Sequence, residues 1–236
     1  MTVRRPMSTP QIPSERMHMN LVLIGPPGSG KGTQALRLAE RYAVPHISTG
    51  DILRGAVRAR SPLGLQVAAT LASGALVGDA LMTHLVRERL AKRDAAGGFV
   101  LDGFPRTVVQ ARALDQMPAA QTLIIALIAV ADEEIVRRLG SRRVCDNCRI
   151  TQSVSTAEDP DAEACPYCGG RLVRRQDDDP YTVRHRLATY ATFTDPVIAY
   201  YRDRRSFGSI NGLQPPDAVT AALAAHIDGV TPRPSG

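Results

Sequence analysis

Apolar positions along the chain fall into short unbroken runs that alternate with stretches spaced at helical intervals. "LVLIG" (21–25) is such a run, ends in glycine and predicts a buried strand. From Thr33, "TQALRLAERYA" sets Leu36, Ala39 and Ala43 on one helical face. "PHIS" (45–48) predicts a short strand, and "GDILRGAVRAR" and "SPLGLQVAATLASG" two short helices, the second stopped at Gly74. A longer amphipathic helix is expected over 79–94, "DALMTHLVRERLAKRD". "GFVLDGFP" (98–105) holds a third strand, "TVVQARALDQM" a helix, "QTLIIALIAV" a fourth strand and "DEEIVRRLGSR" a helix with an acidic start.

Residues 144–174 break this rhythm with four cysteines, polar loops and little apolar periodicity. Beyond them, "YTVRHRLATYATFT" and "DPVIAYYRD" predict two helices, "FGSIN" a fifth strand and "PDAVTAALAAHI" a closing helix. Strands alternating with helices imply an α/β fold: a parallel five-stranded sheet with helices on both faces. Ligands then gather at the carboxyl ends of the strands.

The 236 residues, 44% of them hydrophobic, suffice for a full core. A net charge of +6 admits anionic partners: nucleic acid, a membrane surface or phosphorylated small molecules. Only Lys31 and Lys92 are lysines, so the positive charge is almost wholly arginine, whose fork binds phosphate oxygens in pairs. The run "LIIALIAV" (123–130) is too short to span a bilayer. Residues 1–18 have arginines and prolines but no apolar core of a signal peptide, and read as a disordered leader. The expectation is a cytoplasmic protein, where paired cysteines more often bind metal than bridge.

"GPPGSGKGTQ" (25–34), between a strand and a helix, has the make-up of a phosphate-gripping loop. Gly25, Gly28, Gly30 and Gly32 let backbone N–H groups turn around phosphate oxygens, Lys31 adds a full charge, and the helix N-terminus favours an anion. The usual pattern puts a Ser or Thr hydroxyl directly after the lysine to hold Mg²⁺; here Gly32 stands there and Thr33 comes one place late. The metal must then sit on phosphate oxygens and water, oriented by carboxylates from elsewhere. Asp102 in "VLDGFPR" and Asp51 in "STGDILR" are the candidates, with helix caps or loop charges as their plainer reading.

Cys145, Cys148, Cys165 and Cys168 form two C-x₂-C pairs sixteen residues apart, the spacing of a tetrahedral Zn²⁺ site made of two knuckles. Disulfides, free thiols or iron remain alternatives. A structural zinc would stabilise a lobe too small for its own core.

"GPPGSGKGTQ", "STGDILR", "LDGFPRT", "RRLGSRRV", the cysteine-bearing insert, "RRQDDDPYTVRHRL" and "INGLQPPDAV", in this order, resemble the adenylate kinase family from about Asn20 to the last helix. The resemblance implies a phosphate-loop nucleotide-binding sheet (19–47, 78–140 and 179–232), an inserted helical AMP-binding lobe (48–77), a small zinc-ribbon lid (141–178) and a tail at 233–236. It implies Mg²⁺-dependent transfer from ATP to AMP, giving two ADP; nothing in the sequence demands more than a monomer.

On the ATP side it implies Gly28, Ser29, Gly30, Lys31, Gly32 and Thr33, with Arg138 packing on the base and Gln214 meeting it through its backbone. On the AMP side it implies Thr49 and Arg54, Leu76 and Val77, Gly103 and Arg106, and Gln110 facing the adenine. Thr49 also reads as a helix N-cap. Arg106, Arg142, Arg175 and Arg186, with Lys31, would be the catalytic cations, and Asp177 and Asp178 would position arginines.

Two positions depart from the pattern: Ala75 and Gln214 stand where many relatives carry lysine. Rival readings are a UMP/CMP or GMP kinase, a nucleotide-binding regulator without turnover, and a nucleic-acid-binding zinc protein. The last lacks a stacking platform, because aromatics are only 4% and there is no Trp.

Overall fold

A computed structural model describes residues 18–118, 122–148, 150–153 and 164–230. The expected leader, apart from its last residue, and the tail lie outside the described residues. The chain runs β1 (Met19–Ile24), α1 (Lys31–Tyr42), β2 (His46–Ser48), α2 (Thr49–Arg58), α3 (Pro62–Ala72), α4 (Asp79–Leu90), β3 (Gly98–Asp102), α5 (Val108–Asp115), β4 (Leu123–Ala129) and α6 (Asp132–Ser141). It continues through β5 (Arg142–Cys145), β6 (Thr151–Ser153), β7 (Leu172–Val173), α7 (Pro180–Thr189), α8 (Asp195–Tyr201), β8 (Phe207–Asn211) and α9 (Pro216–Val230).

Five strands form one parallel sheet in the order β2-β3-β1-β4-β8. Every residue of β1 is buried, as expected of a strand covered on both faces. Its side chains alternate: Val22 and Ile24 join one core with Phe99, Leu101, Leu114 and Tyr201, while Leu21 and Leu23 join a second with Leu38, Ile124, Ile128 and Leu223. Helices α1 and α9 cover the second face, and α4, α5 and α8 the first. The carboxyl ends of β1, β2 and β3 lie side by side, because Leu23 pairs with Asp102 and Asp102 with Ser48.

Three stretches differ from the sequence expectation. Helix α4 stops at Leu90, four residues short, and a 3-10 turn follows over Arg93–Ala95. Arg89 binds the Asp94 carboxylate through both Nη1 (2.9 Å) and Nη2 (2.7 Å), folding the charged end of the run back on itself. The two helices expected after residue 180 are one nearly continuous element, joined by a π-helical turn over Tyr190–Thr194. A widened turn loosens the backbone ladder just where Pro196 has no N–H to give it.

The cysteine-bearing stretch holds an antiparallel sheet of order β6-β5-β7. Among the described residues its buried cluster is Cys145, Cys165 and Leu172, too few apolar positions for a period of two to show in the sequence.

Candidate active site

The phosphate loop joins β1 to α1. Gly28 has φ 83°, and a Cβ there would come within 2.8 Å of the Leu139 side chain, so only glycine lets the loop close on α6. Helix α1 begins at Lys31 itself, with Gly30 as its N-cap. The Lys31 ammonium turns back into the loop and donates to Gly25 O (2.6 Å), Pro26 O (2.7 Å) and Ser29 Oγ (3.4 Å). Burial pushes its pKa down to about 8; Asp102 opposes the fall, and Arg106, Arg186 and Arg142 add to it. Ser29 is buried and Thr33 exposed.

Asp102, the last residue of β3, is the carboxylate that acts on Lys31. A Cβ on Gly32 would lie 3.7 Å from its Oδ2. Burial alone would raise the Asp102 carboxyl, but His46, Lys31 and Arg106 hold it below the usual carboxylate range. Asp51 instead sits in the first turn of α2, 68% exposed, with its Oδ1 2.6 Å from Arg54 Nη2. Of the two candidate carboxylates, only Asp102 stands against the phosphate loop in this way.

A pocket opens beyond the ends of β2 and β3, and its lining includes Thr49, Leu53, Leu76, Val77, Met82 and Gln110. Arg54, Arg106, Arg186 and Asp177 also line it, as does Gly103, so the cavity combines an apolar slot with a cationic wall. Gly103 has φ 84°, and a Cβ there would meet Thr49 Oγ1 at 2.7 Å and Arg106 Nη2 at 3.0 Å. Arg106 Nε donates to Gly103 O (2.9 Å). The cap of α2 is Ser48, whose Oγ accepts from Asp51 N (3.2 Å). Thr49 is therefore not the cap: it is buried and donates to Asp102 O (3.3 Å).

The arginines expected from distant parts of the chain converge. Arg142 grips the Asp178 carboxylate through Nε (2.6 Å) and Nη2. Arg186 Nη1 lies 3.0 Å from Asp177 Oδ2 and 3.2 Å from Asp178 Oδ1, and Arg175 Nε lies 3.5 Å from Asp177 Oδ1. Burial and then the neighbouring guanidinium groups, Arg54 and Arg142, push Arg175 down to about 10. Arg106 falls to about 10 through burial and Arg186. These shifts mark a pool of positive potential only partly offset by its aspartates, which suits a polyanion.

Arg138 bridges the loop and the far edge of the sheet: Nη2 donates to Gly212 O (2.8 Å), Nη1 to Ser29 O (3.5 Å) and Nε to Glu134 Oε1 (2.6 Å). Gln214, two residues past Gly212, is exposed.

Sequence reasoning missed three of these positions. His46 is largely buried and brings Nε2 to 3.8 Å from Asp102 Oδ2, beyond hydrogen-bond reach and without another partner. Asp79 accepts from Gln110 Nε2 (2.8 Å) and Thr107 Oγ1 (2.9 Å). Glu134 holds both Arg137 and Arg138. Apart from the i,i+3 and i,i+4 spacings that set Arg137 and Arg138 beside Glu134, no local signal points to these pairs.

The four cysteines meet in one cluster, their sulfurs all within 4.8 Å of one another. The Cys145–Cys168 and Cys148–Cys165 sulfur pairs lie 3.4 Å and 3.6 Å apart, far beyond a disulfide. Four thiolates at zinc's bond length of about 2.3 Å in a tetrahedron are separated by about 3.8 Å, so the donor set fits a zinc ion.

The model of the adenylate kinase family matches residues 23–206. The chain belongs to the adenylate kinase family. It is 45% identical over 212 residues to "Adenylate kinase" of Geobacter sp. (strain M21), covering 89% of this chain and 99% of the relative. It is 48% identical over 201 residues to "Adenylate kinase" of Trichlorobacter lovleyi, covering 83% and 92%. The same name is borne by a relative from Kosmotoga olearia, 43% identical over 215 residues, covering 90% and 100%. Membership of the adenylate kinase family makes the chain a phosphotransferase of the ATP:AMP class. Among the described residues no helix is long and apolar enough to cross a membrane.

Proposed function

We propose that this adenylate kinase transfers the terminal phosphoryl group of Mg·ATP directly to AMP, with the two nucleotides tail to tail across the arginine cluster. The observation that carries this reading is the shared cationic ground between two unlike cradles. One is the phosphate loop with Lys31; the other is the apolar slot lined by Thr49, Leu76, Val77 and Gln110 and walled by Arg54, Arg106 and Arg186.

The ATP phosphates lie on the backbone of Gly28, Ser29, Gly30, Gly32 and Thr33, where Lys31 exchanges loop carbonyls for phosphate oxygens. Arg138, held between Ser29 and Gly212, flanks the ATP base, and Gln214 follows Gly212 by two residues. AMP puts its base against Thr49, Leu76, Val77 and Gln110 and its phosphate against Arg54, Arg106 and the Gly103 turn.

In-line phosphoryl transfer needs positioning and charge stabilisation more than a base or a nucleophile from the protein. Lys31, Arg106, Arg142, Arg175 and Arg186 supply that charge, and groups already held in place need no reorganisation as the phosphoryl group moves. Asp177 and Asp178 keep the arginine forks aimed. Mg²⁺ on the phosphates would neutralise charge that builds up on their oxygens during the transfer. Asp102 is the residue that would orient its water shell, while Asp51 serves Arg54 instead.

We assign residues 48–77 to an AMP lobe, 141–178 to a lid and 19–47, 78–140 and 179–232 to the core. Cys145, Cys148, Cys165 and Cys168 would hold a structural Zn²⁺. One chain supplies both cradles, which supports a monomer, and four unbridged thiols suit the cytoplasm.

Two adenosines joined by five phosphates test the reading. This compound should bind far more tightly than ATP or AMP, and both Lys31→Met and Arg106→Lys should weaken it. Affinity no better than that of ATP, or untouched by either substitution, would contradict the proposal.

A further inference from the structure

Gln110 is buried, and its carboxamide is held at both ends. Oε1 accepts from the Arg106 backbone N–H (2.8 Å), and Nε2 donates to Asp79 Oδ1 (2.8 Å). The partners force this orientation, because a backbone N–H can only donate and a carboxylate can only accept. Asp79 is itself fixed: it opens α4, where the helix N-terminus favours an anion, and the same Oδ1 takes the Thr107 hydroxyl (2.9 Å). Thr107 in turn caps α5 by accepting from Gln110 N (3.1 Å). Gln110 lines the pocket and Asp79 does not.

One lone pair on Oε1 and one N–H on Nε2 remain for a ligand. That pair matches a 6-aminopurine edge, which offers an N–H at C6 and a lone pair at N1. A 6-oxopurine edge reverses both. To bind it, Gln110 would have to flip, setting its oxygen against the Asp79 carboxylate and its NH₂ against the Arg106 N–H.

We propose that Asp79 is a specificity-determining positioning residue that locks the Gln110 amide for 6-aminopurine and against 6-oxopurine acceptors. The inference rests on the reading of this pocket as the AMP site. Asp79 acts through Gln110 without touching the nucleotide, and the fixed charge raises the penalty for the flipped amide.

Inosine monophosphate is the probe, because it keeps the size of AMP and reverses its hydrogen-bonding edge. Steady-state kinetics with AMP and with inosine monophosphate should be compared for wild type, Asp79→Ala, Gln110→Ala and the double variant. Asp79→Ala should lower the ratio of kcat/KM for AMP over inosine monophosphate about tenfold or more, mainly through KM. In the Gln110→Ala background the same substitution should leave the ratio unchanged, since the two side chains act as one unit. Asp79→Asn preserves the shape if the alanine variant folds poorly, and should lower the ratio less, in the same direction.

A ratio unchanged by both Asp79 variants, with KM rising equally for both acceptors, would overturn the inference while leaving the AMP site intact. Wild-type protein inactive on AMP would overturn the site assignment itself, and this inference with it.

Discussion

Asp102 Oδ2 lies 3.7 Å from the place a Cβ would occupy on Gly32. A phosphate loop of the usual make-up has a hydroxyl for Mg²⁺ at that position, so here a carboxylate from the end of β3 stands beside the missing side chain. Asp102→Asn should therefore raise the Mg²⁺ concentration needed for half-maximal rate about 10–100-fold, the scale of outer-shell metal partners. The ordinary van der Waals spacing also means that Gly32→Ser should fold normally. Rate against Mg²⁺ concentration checks the first expectation, and a thermal melt the second.

Lys31 gives a pH signature. With its pKa at about 8 in the free protein, the ammonium is increasingly deprotonated above that pH. Bound phosphate favours the charged form, so ATP binding should take up a proton in the window between about 8 and the ordinary lysine value near 10.4, and affinity should fall as pH rises through it. Calorimetry in buffers of different ionisation enthalpy reads the uptake directly. Lys31→Met should abolish it.

The Asp178 side chain is fully buried and grips Arg142 and Arg186. Removing it by Asp178→Ala takes the carboxylate from Arg142 and leaves Arg186 with Asp177, in a cluster already rich in positive charge. Breaking a buried pair from one side costs about 3–5 kcal/mol. The variant should melt well below wild type and lose activity, with ATP restoring more melting temperature to it than to wild type. Equal melting temperatures without ligand would contradict the packing described here.

Metal analysis of the folded protein should find one zinc per chain. Chelation should lower the melting temperature and loosen Arg142–Val173, because the buried cluster among the described residues there is two cysteines and Leu172. Protein that carries no transition metal and is indifferent to chelators would count against the zinc site.

Features written locally were legible in the sequence. The loop glycines and Lys31 lie within ten residues of one another, the cysteine pairs carry their own spacing, and the five expected strands became the parallel sheet. Pairings made across the fold were not. Gln110 and Asp79 stand 31 positions apart, and Arg142 and Asp178 stand 36 apart, so only the tertiary structure shows which carboxylate holds which partner. The strand order, with β1 between β3 and β4, likewise follows from packing on both faces and not from any single run. At the end of α4 the helical pattern was outweighed by the Arg89–Asp94 contact, a competition between local charges that apolar spacing does not register.

The most direct measurement follows nucleotide products with Mg·ATP as donor while the acceptor is varied among AMP, UMP, CMP and GMP. The account predicts that AMP is consumed with ADP appearing from both donor and acceptor, at a kcat/KM well above that of every other acceptor. Rapid phosphorylation of UMP with AMP left untouched would contradict it.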